Sequence, residues 1–107
     1  MILKSFLPHR LAICDEEEIV RYYEHASTER VALSFVNALE DAFIQLSRYP
    51  QMGSPRPQHD LDLDGIRSWS LKKFPHQIFY EVHQDHVELW RILHPKRDIT
   101  ESMLPRQ

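Results

Sequence analysis

Residues 65–94 read GIRSWSLKKFPHQIFYEVHQDHVELWRILH, and three stretches within them are typical of β-strands. Residues 65–71, 76–83 and 87–94 each carry the two-residue side-chain alternation of a strand. The spacer at 84–86 is short, so the last two stretches are predicted to form an antiparallel hairpin. Apolar residues occur on both faces of these two strands, which favours the centre of a sheet.

Two helices are predicted before these strands. Residues 11–25 and 28–49 repeat apolar side chains at a spacing of three to four, and Pro50 ends the second pattern. Ser27 or Thr28 is expected to cap the second helix. The link is short, so the helices should pair as an antiparallel hairpin. The apolar stripe of the first helix has a gap at Asp15 and Glu16, and its predicted members are Leu11, Ala12, Ile19, Tyr22, Tyr23 and Ala26.

The complete pattern predicts an α+β fold with the order β-α-α-β-β-β. Residues 2–7 form the first predicted strand, which stops at Pro8, and residues 50–64 read as a surface loop rich in proline. The helix hairpin is expected to pack on one face of a small, mainly antiparallel sheet and to leave the other face partly open. The length of residues 1–107 suits a single domain.

Composition narrows the function classes. The formal net charge is −3 and the pI is about 6.1, which disfavours a broad nucleic-acid footprint. The charges are segregated, because acids concentrate at 15–18 and 60–64 whereas short basic clusters follow residue 65. Cys14 is the only cysteine, so no internal disulfide can form, and a reducing, cytoplasmic location is expected.

Several motifs have a family likeness. They are DEEEI at 15–19 with Tyr22, GIRSWSL at 65–71 with Phe74-Pro75, IFYEV at 78–82, and LWRILHPKRDI at 89–99. In this order they resemble the RelE/ParE toxin superfamily of type II toxin–antitoxin systems, and the ParE branch most closely. The resemblance spans nearly the whole chain. The last motif is the most specific, because histidine, arginine and aspartate recur at fixed offsets after a strand.

The resemblance implies two activities. RelE-type members cut messenger RNA on the ribosome, whereas ParE-type members poison DNA gyrase without a known hydrolytic centre. A cognate antitoxin neutralises both types. The leading hypothesis is a ParE-like gyrase inhibitor that acts by binding and needs no cofactor. The alternatives are a ribosome-dependent mRNA endoribonuclease and a non-toxic relic that only binds its antitoxin.

A nuclease would need a base, an acid and cations around the phosphate. The residues of the chain that suit these roles are Arg67, Tyr80, Arg91, His94 and Arg97. Arg67 and Arg91 are expected to meet on the open face of neighbouring strands. The set is thin, so binding is favoured over catalysis. The residues predicted to bind a partner are Arg67, Trp69, Arg91, His94 and Arg97.

Structural roles are also expected for many of these side chains. Arg91 should pair with an acid from the helix layer or from the antitoxin, and Cys14 should be a small buried residue. The acidic runs should face solvent, and the aromatic residues of the helices should be core: Tyr22, Tyr23, Phe35 and Phe43. His83 and His86 are three apart but have no third ligand with supporting spacing, so no metal centre is predicted.

Overall fold

The computed structural model describes residues 5–54 and 65–95, and two helices lie against a four-stranded sheet. The elements are β1 (Ser5–Pro8), α1 (Arg10–Ala26), α2 (Glu29–Arg48), a 3₁₀ turn (Pro50–Met52), β2 (Ile66–Ser70), β3 (Gln77–Val82) and β4 (His86–Leu93). This is the predicted α+β order. Most of the predicted loop 50–64 and the last part of the 89–99 motif lie outside the described residues.

The sheet has the strand order β1-β4-β3-β2. β3 pairs antiparallel with both β2 and β4, which confirms the predicted hairpin and the central position of β3 and β4. β1 pairs with β4 in parallel, so the sheet is mixed. A parallel neighbour needs a long crossover connection, and here the helix hairpin and two strands supply it.

Both helices begin at a side-chain cap. His9 precedes α1, and its Nδ1 accepts a hydrogen bond from the backbone N–H of Leu11 at 3.2 Å. Thr28 precedes α2, and its Oγ1 accepts from the N–H of Val31 at 3.1 Å. Of the two predicted caps for the second helix, Thr28 is therefore the one in use. Neither helix is long and apolar enough to cross a membrane.

The main core lies between the helices and one sheet face. The predicted core residues Phe35 and Phe43 lie in it or pack against it, and the other residues that do so include Leu39, Ile78, Tyr80, Val82 and Leu89. A second cluster comprises Ile66, Phe79 and Leu93, with Trp90 against it. Neighbouring residues of a strand point to opposite faces, so this cluster lies on the other face.

Four predictions for α1 are wrong. Ala26, a predicted member of the apolar stripe, is exposed. Tyr22 is 64% exposed rather than core, and Cys14 is exposed rather than buried. Asp15 belongs to an acidic run that was expected to face solvent, yet it is only 4% exposed. The buried side of α1 contains Ala12, Asp15, Ile19 and Tyr23, which follow a regular helical spacing. Asp15, which looked like a gap in the apolar stripe, therefore belongs to the buried face of α1.

Candidate functional site

Arg91 and Asp15 form a buried ion pair between β4 and α1. The Nε of Arg91 donates to Oδ2 of Asp15 at 2.7 Å, and its Nη2 donates to Oδ1 at 2.9 Å. The backbone N–H of Ile92 donates to the same carboxylate at 3.0 Å. The bond to Asp15 raises the pKa of Arg91 above its ordinary value. The predicted pairing of Arg91 with an acid from the helix layer is confirmed.

Tyr80 and Arg67 hold the turn that follows α2. They are register partners on β3 and β2. The hydroxyl of Tyr80 donates to the Pro50 carbonyl at 2.8 Å and accepts from the N–H of Gly53 at 2.9 Å. Arg67 donates to the carbonyl of Gly53 at 2.9 Å and to the carbonyl of Gln51 at 3.1 Å. Burial raises the pKa of Tyr80.

Gly53 is the residue on which both side chains converge. A Cβ there would collide with the Tyr80 hydroxyl and with the backbone carbonyl of Ser68. Backbone atoms of Gly53 can approach the tyrosine only because the position has no side chain. Tyr80 and Arg67 therefore act together as a clamp on the turn.

Removing the Tyr80 hydroxyl should loosen this clamp. We expect Tyr80→Phe to lower the free energy of unfolding by about 1–3 kcal/mol, because a buried N–H and a carbonyl lose their partner. Urea denaturation of the purified chain measures the change. Tyr49→Phe is the matched control, since Tyr49 is 52% exposed. Equal losses in both variants would contradict the clamp.

His94 directly follows β4 and faces a cleft beside α1. Its ring centre lies 5.4 Å from that of His76. The cleft has a volume of about 390 Å³, and its lining is Glu18, Ile19, Tyr22, Tyr23, His76 and His94. His76 is 6% exposed, and burial, followed by the neighbouring His94, lowers the pKa of His76 to about 4. His76 is therefore neutral near pH 7.

The residues predicted for a nuclease do not converge as expected. β3 lies between β2 and β4, so Arg67 and Arg91 are not on neighbouring strands, and that prediction is wrong. Arg67 binds the turn, whereas Arg91 binds α1. Arg97 lies outside the described residues.

A groove between α2 and the end of β2 contains Trp69. Its volume is about 510 Å³, and the residues of its lining that carry polarity or charge include Asn37, Asp41, Lys72 and Lys73. The two lysines are exposed in the turn after β2, and Lys73 has a φ of 68°. Sequence reasoning selected Trp69 as a partner contact but set the lysine pair aside. The sequence signal that could have identified this groove is the position of the two lysines shortly after Trp69.

Glu81, His83 and Glu88 form a group that the sequence analysis missed. Their ligand atoms all lie within 4.8 Å of one another. Glu81 and Glu88 are register partners across β3 and β4, and His83 follows β3. The sequence predicted that the two strands pair, but it did not predict their register. Only the register places Glu88 opposite Glu81, so Glu88 could not be recognised as a third ligand.

The sequence and the fold of this chain are similar to those of known proteins. The sequence profile described as ParE toxin of type II toxin-antitoxin system, parDE, matches residues 7–99. The chain belongs to the ParE toxin family. The recognised likeness to the RelE/ParE superfamily is thereby confirmed, and the protein is a type II toxin–antitoxin toxin of that superfamily. No curated protein matches the chain.

Two solved structures share the ParE toxin fold. A chain of the chromosomal ParDE TA system from P. aeruginosa has a TM-score of 0.71 at 22% identity, and the match covers 86% of this chain and 96% of that one. A chain of the toxin-antitoxin complex RelBE2 from Mycobacterium tuberculosis has a TM-score of 0.56 at 22% identity, with coverages of 87% and 99%. At these identities the likeness shows the fold.

Proposed function

We propose that this ParE family toxin inhibits DNA gyrase by binding it, catalyses no reaction, and is neutralised by a cognate antitoxin. The observation that carries the proposal is that three of the five nuclease candidates are hydrogen-bonded within the fold. The hydroxyl of Tyr80 and the guanidinium groups of Arg67 and Arg91 all make intramolecular hydrogen bonds.

Ribonuclease chemistry has requirements that this arrangement of the candidate residues meets poorly. Stabilising the charge that develops on a phosphate requires donors aimed at it before the reaction starts. The side chain of Arg91 is 8% exposed, and its guanidinium is bonded to a carboxylate that already compensates its charge. Releasing it would leave Asp15 as an unpaired buried charge, which costs several kcal/mol.

A binding inhibitor needs a small cluster of well-placed contacts instead. Such hot spots are enriched in tryptophan, tyrosine and arginine. We assign the partner contact to the groove of Trp69, Lys72 and Lys73, where an indole lies beside two exposed cations. The antitoxin then neutralises the toxin by covering the groove with a helix or an added strand. β2 is an edge strand whose Ser68 already pairs with Ser54, and its last residues border the groove, which favours a helix over an added strand.

Two assays on the purified toxin test the proposal. We expect inhibition of gyrase supercoiling and no cleavage of mRNA on programmed ribosomes. Lys72→Glu and Trp69→Ala should each weaken the inhibition tenfold or more, which corresponds to about 1.4 kcal/mol or more of binding energy. His94→Gln should leave it unchanged, because His94 lines the cleft beside α1 rather than this groove and no reaction step depends on an imidazole.

Other outcomes select the alternatives. Ribosome-dependent cleavage that His94→Gln abolishes would establish the endoribonuclease and reject the gyrase proposal. A chain that inhibits neither target yet binds the product of the neighbouring reading frame would be an antitoxin-binding relic. Lys72→Glu serves as the surface variant, since Trp69 also packs against the core and its loss affects stability.

A further inference from the structure

Three metal-ligating side chains converge at the β3–β4 hairpin, on a site that the proposed function does not use. Nε2 of His83 lies 2.9 Å from Oε1 of Glu81 and 3.5 Å from Oε1 of Glu88. The side chains are 27–37% exposed, whereas the Nε2 atom of His83 is itself covered and faces the two glutamates. The backbone bond from His83 N–H to the His86 carbonyl, at 2.8 Å, closes the hairpin beside them.

The charges around this site call for a cation. Glu81 and Glu88 stand directly opposite each other in the sheet, and like charges in that position destabilise the strand pair. Asp85 adds a further carboxylate in the turn. Among residues 5–54 and 65–95, the only ion pairs of Glu81 and Glu88 are with His83. No lysine or arginine in those ranges compensates the two glutamates.

The distances suit a small divalent ion. Zinc binds imidazole nitrogen and carboxylate oxygen at about 2.0–2.2 Å, so tetrahedral ligand atoms lie about 3.3–3.6 Å apart. The distance from Nε2 of His83 to Glu88, 3.5 Å, falls within that range, and the distance to Glu81, 2.9 Å, is shorter. One imidazole with two carboxylates suits first-row transition metals better than calcium or magnesium, which prefer oxygen ligands alone.

The imidazole of His83 is also held in place. The ring of His86 stacks on it with a centroid distance of 4.4 Å and an interplanar angle of 14°. Nδ1 of His86 is in turn bonded to Oδ1 of Asp85 at 2.7 Å. Stacking from one side fixes the plane of the His83 ring while its Nε2 faces the glutamates.

We propose that Glu81, His83 and Glu88 bind one divalent first-row transition-metal ion, with water completing its coordination. Both glutamates coordinate the bound ion, which removes the repulsion between their carboxylates. The ion thereby stabilises the pairing of β3 with β4. A protonated His83 that bridges two carboxylates without metal is the competing explanation, and it makes different predictions for the variants below.

Zinc titration of the full-length chain, purified without a histidine tag and stripped with EDTA, tests the proposal. At about pH 8, where protons compete little for imidazole, we expect saturable one-to-one binding by calorimetry and a rise in Tm with zinc. Glu88→Gln and His83→Gln should each weaken binding at least tenfold. Glu40→Gln and His25→Gln, on exposed positions of the helices, are the matched controls and should bind as the parent chain does.

The variants separate the two explanations. In EDTA, Glu88→Gln should keep or raise Tm, because it removes a carboxylate from a repelling pair. A lower Tm for Glu88→Gln in EDTA, together with no zinc binding by the parent chain, would establish the proton-bridged ion pair. Equal zinc affinity in the parent chain and both site variants would put the ion elsewhere and overturn the proposal.

Discussion

Asp15→Ala is expected to lower the free energy of unfolding by about 3–5 kcal/mol, the usual cost of removing one partner from a buried ion pair. The guanidinium of Arg91 would remain in the core without its two carboxylate acceptors. The N–H of Ile92 would lose its acceptor as well. Equilibrium unfolding in urea measures the difference.

Two further variants make this result specific. Glu17→Ala changes an exposed acid on the same helix, and its effect should stay within about 0.5 kcal/mol. The double variant Asp15→Leu with Arg91→Met should recover most of the loss, since apolar side chains often replace a buried pair at little cost. A small loss for Asp15→Ala alone would mean that Arg91 finds water or another acceptor.

Acidification from about pH 7 to about pH 4 should remove up to about 3 kcal/mol of stability through His76 alone. Burial holds the pKa of His76 at about 4 in the folded chain, against 6.5 for an ordinary histidine. The unfolded chain therefore binds a proton more readily than the folded chain. The stabilising contribution is complete above pH 6.5 and is lost as the pH falls towards 4.

Replacing the imidazole isolates this contribution. His76→Phe keeps a ring among Tyr23, Phe35 and Phe74 but cannot take up a proton. Its unfolding free energy should fall less steeply between pH 6.5 and 4 than that of the parent chain. His25→Gln changes an exposed histidine and should retain the full slope. Parallel pH profiles for parent and His76→Phe would show that other groups cause the acid sensitivity.

Sequence reasoning succeeded where one residue pattern determines one structure. The order of elements, the β3–β4 hairpin and the core residues of α2 follow from local spacing, and residue type limited the cap of α2 to Ser27 or Thr28. In α2 the apolar stripe is uninterrupted, so its period and its buried face agree.

It failed where the partner of a residue lies far along the chain. Asp15 looks like part of a solvated acidic run, because its acceptor role depends on Arg91, 76 residues later. Tyr22 and Tyr23 are adjacent and thus about 100° apart on the helix, so only one of them can face the core. Local spacing could not choose between them without knowing where Phe74 and His76 lie.

The candidate sites show the same division. Trp69 was predicted as a partner contact, and this remains a prediction. The group of Glu81, His83 and Glu88 was missed because it exists only in one register, and a shift by one residue would turn one glutamate to the other face. Arg67 and Tyr80 were named as nuclease candidates because the strand pattern does not reveal the turn at Gly53. In the structure both side chains are hydrogen-bonded to that turn.

The parallel pairing of β1 with β4 determines when a newly made chain can complete its sheet. Ser5 to Pro8 pair with His86 to Leu89, so β1 has no partner in this sheet until β4 has been translated. A nascent chain that has not reached β4 also lacks Arg91, the counter-ion of Asp15. Products of a message interrupted before β4 therefore cannot close this sheet or form the buried ion pair.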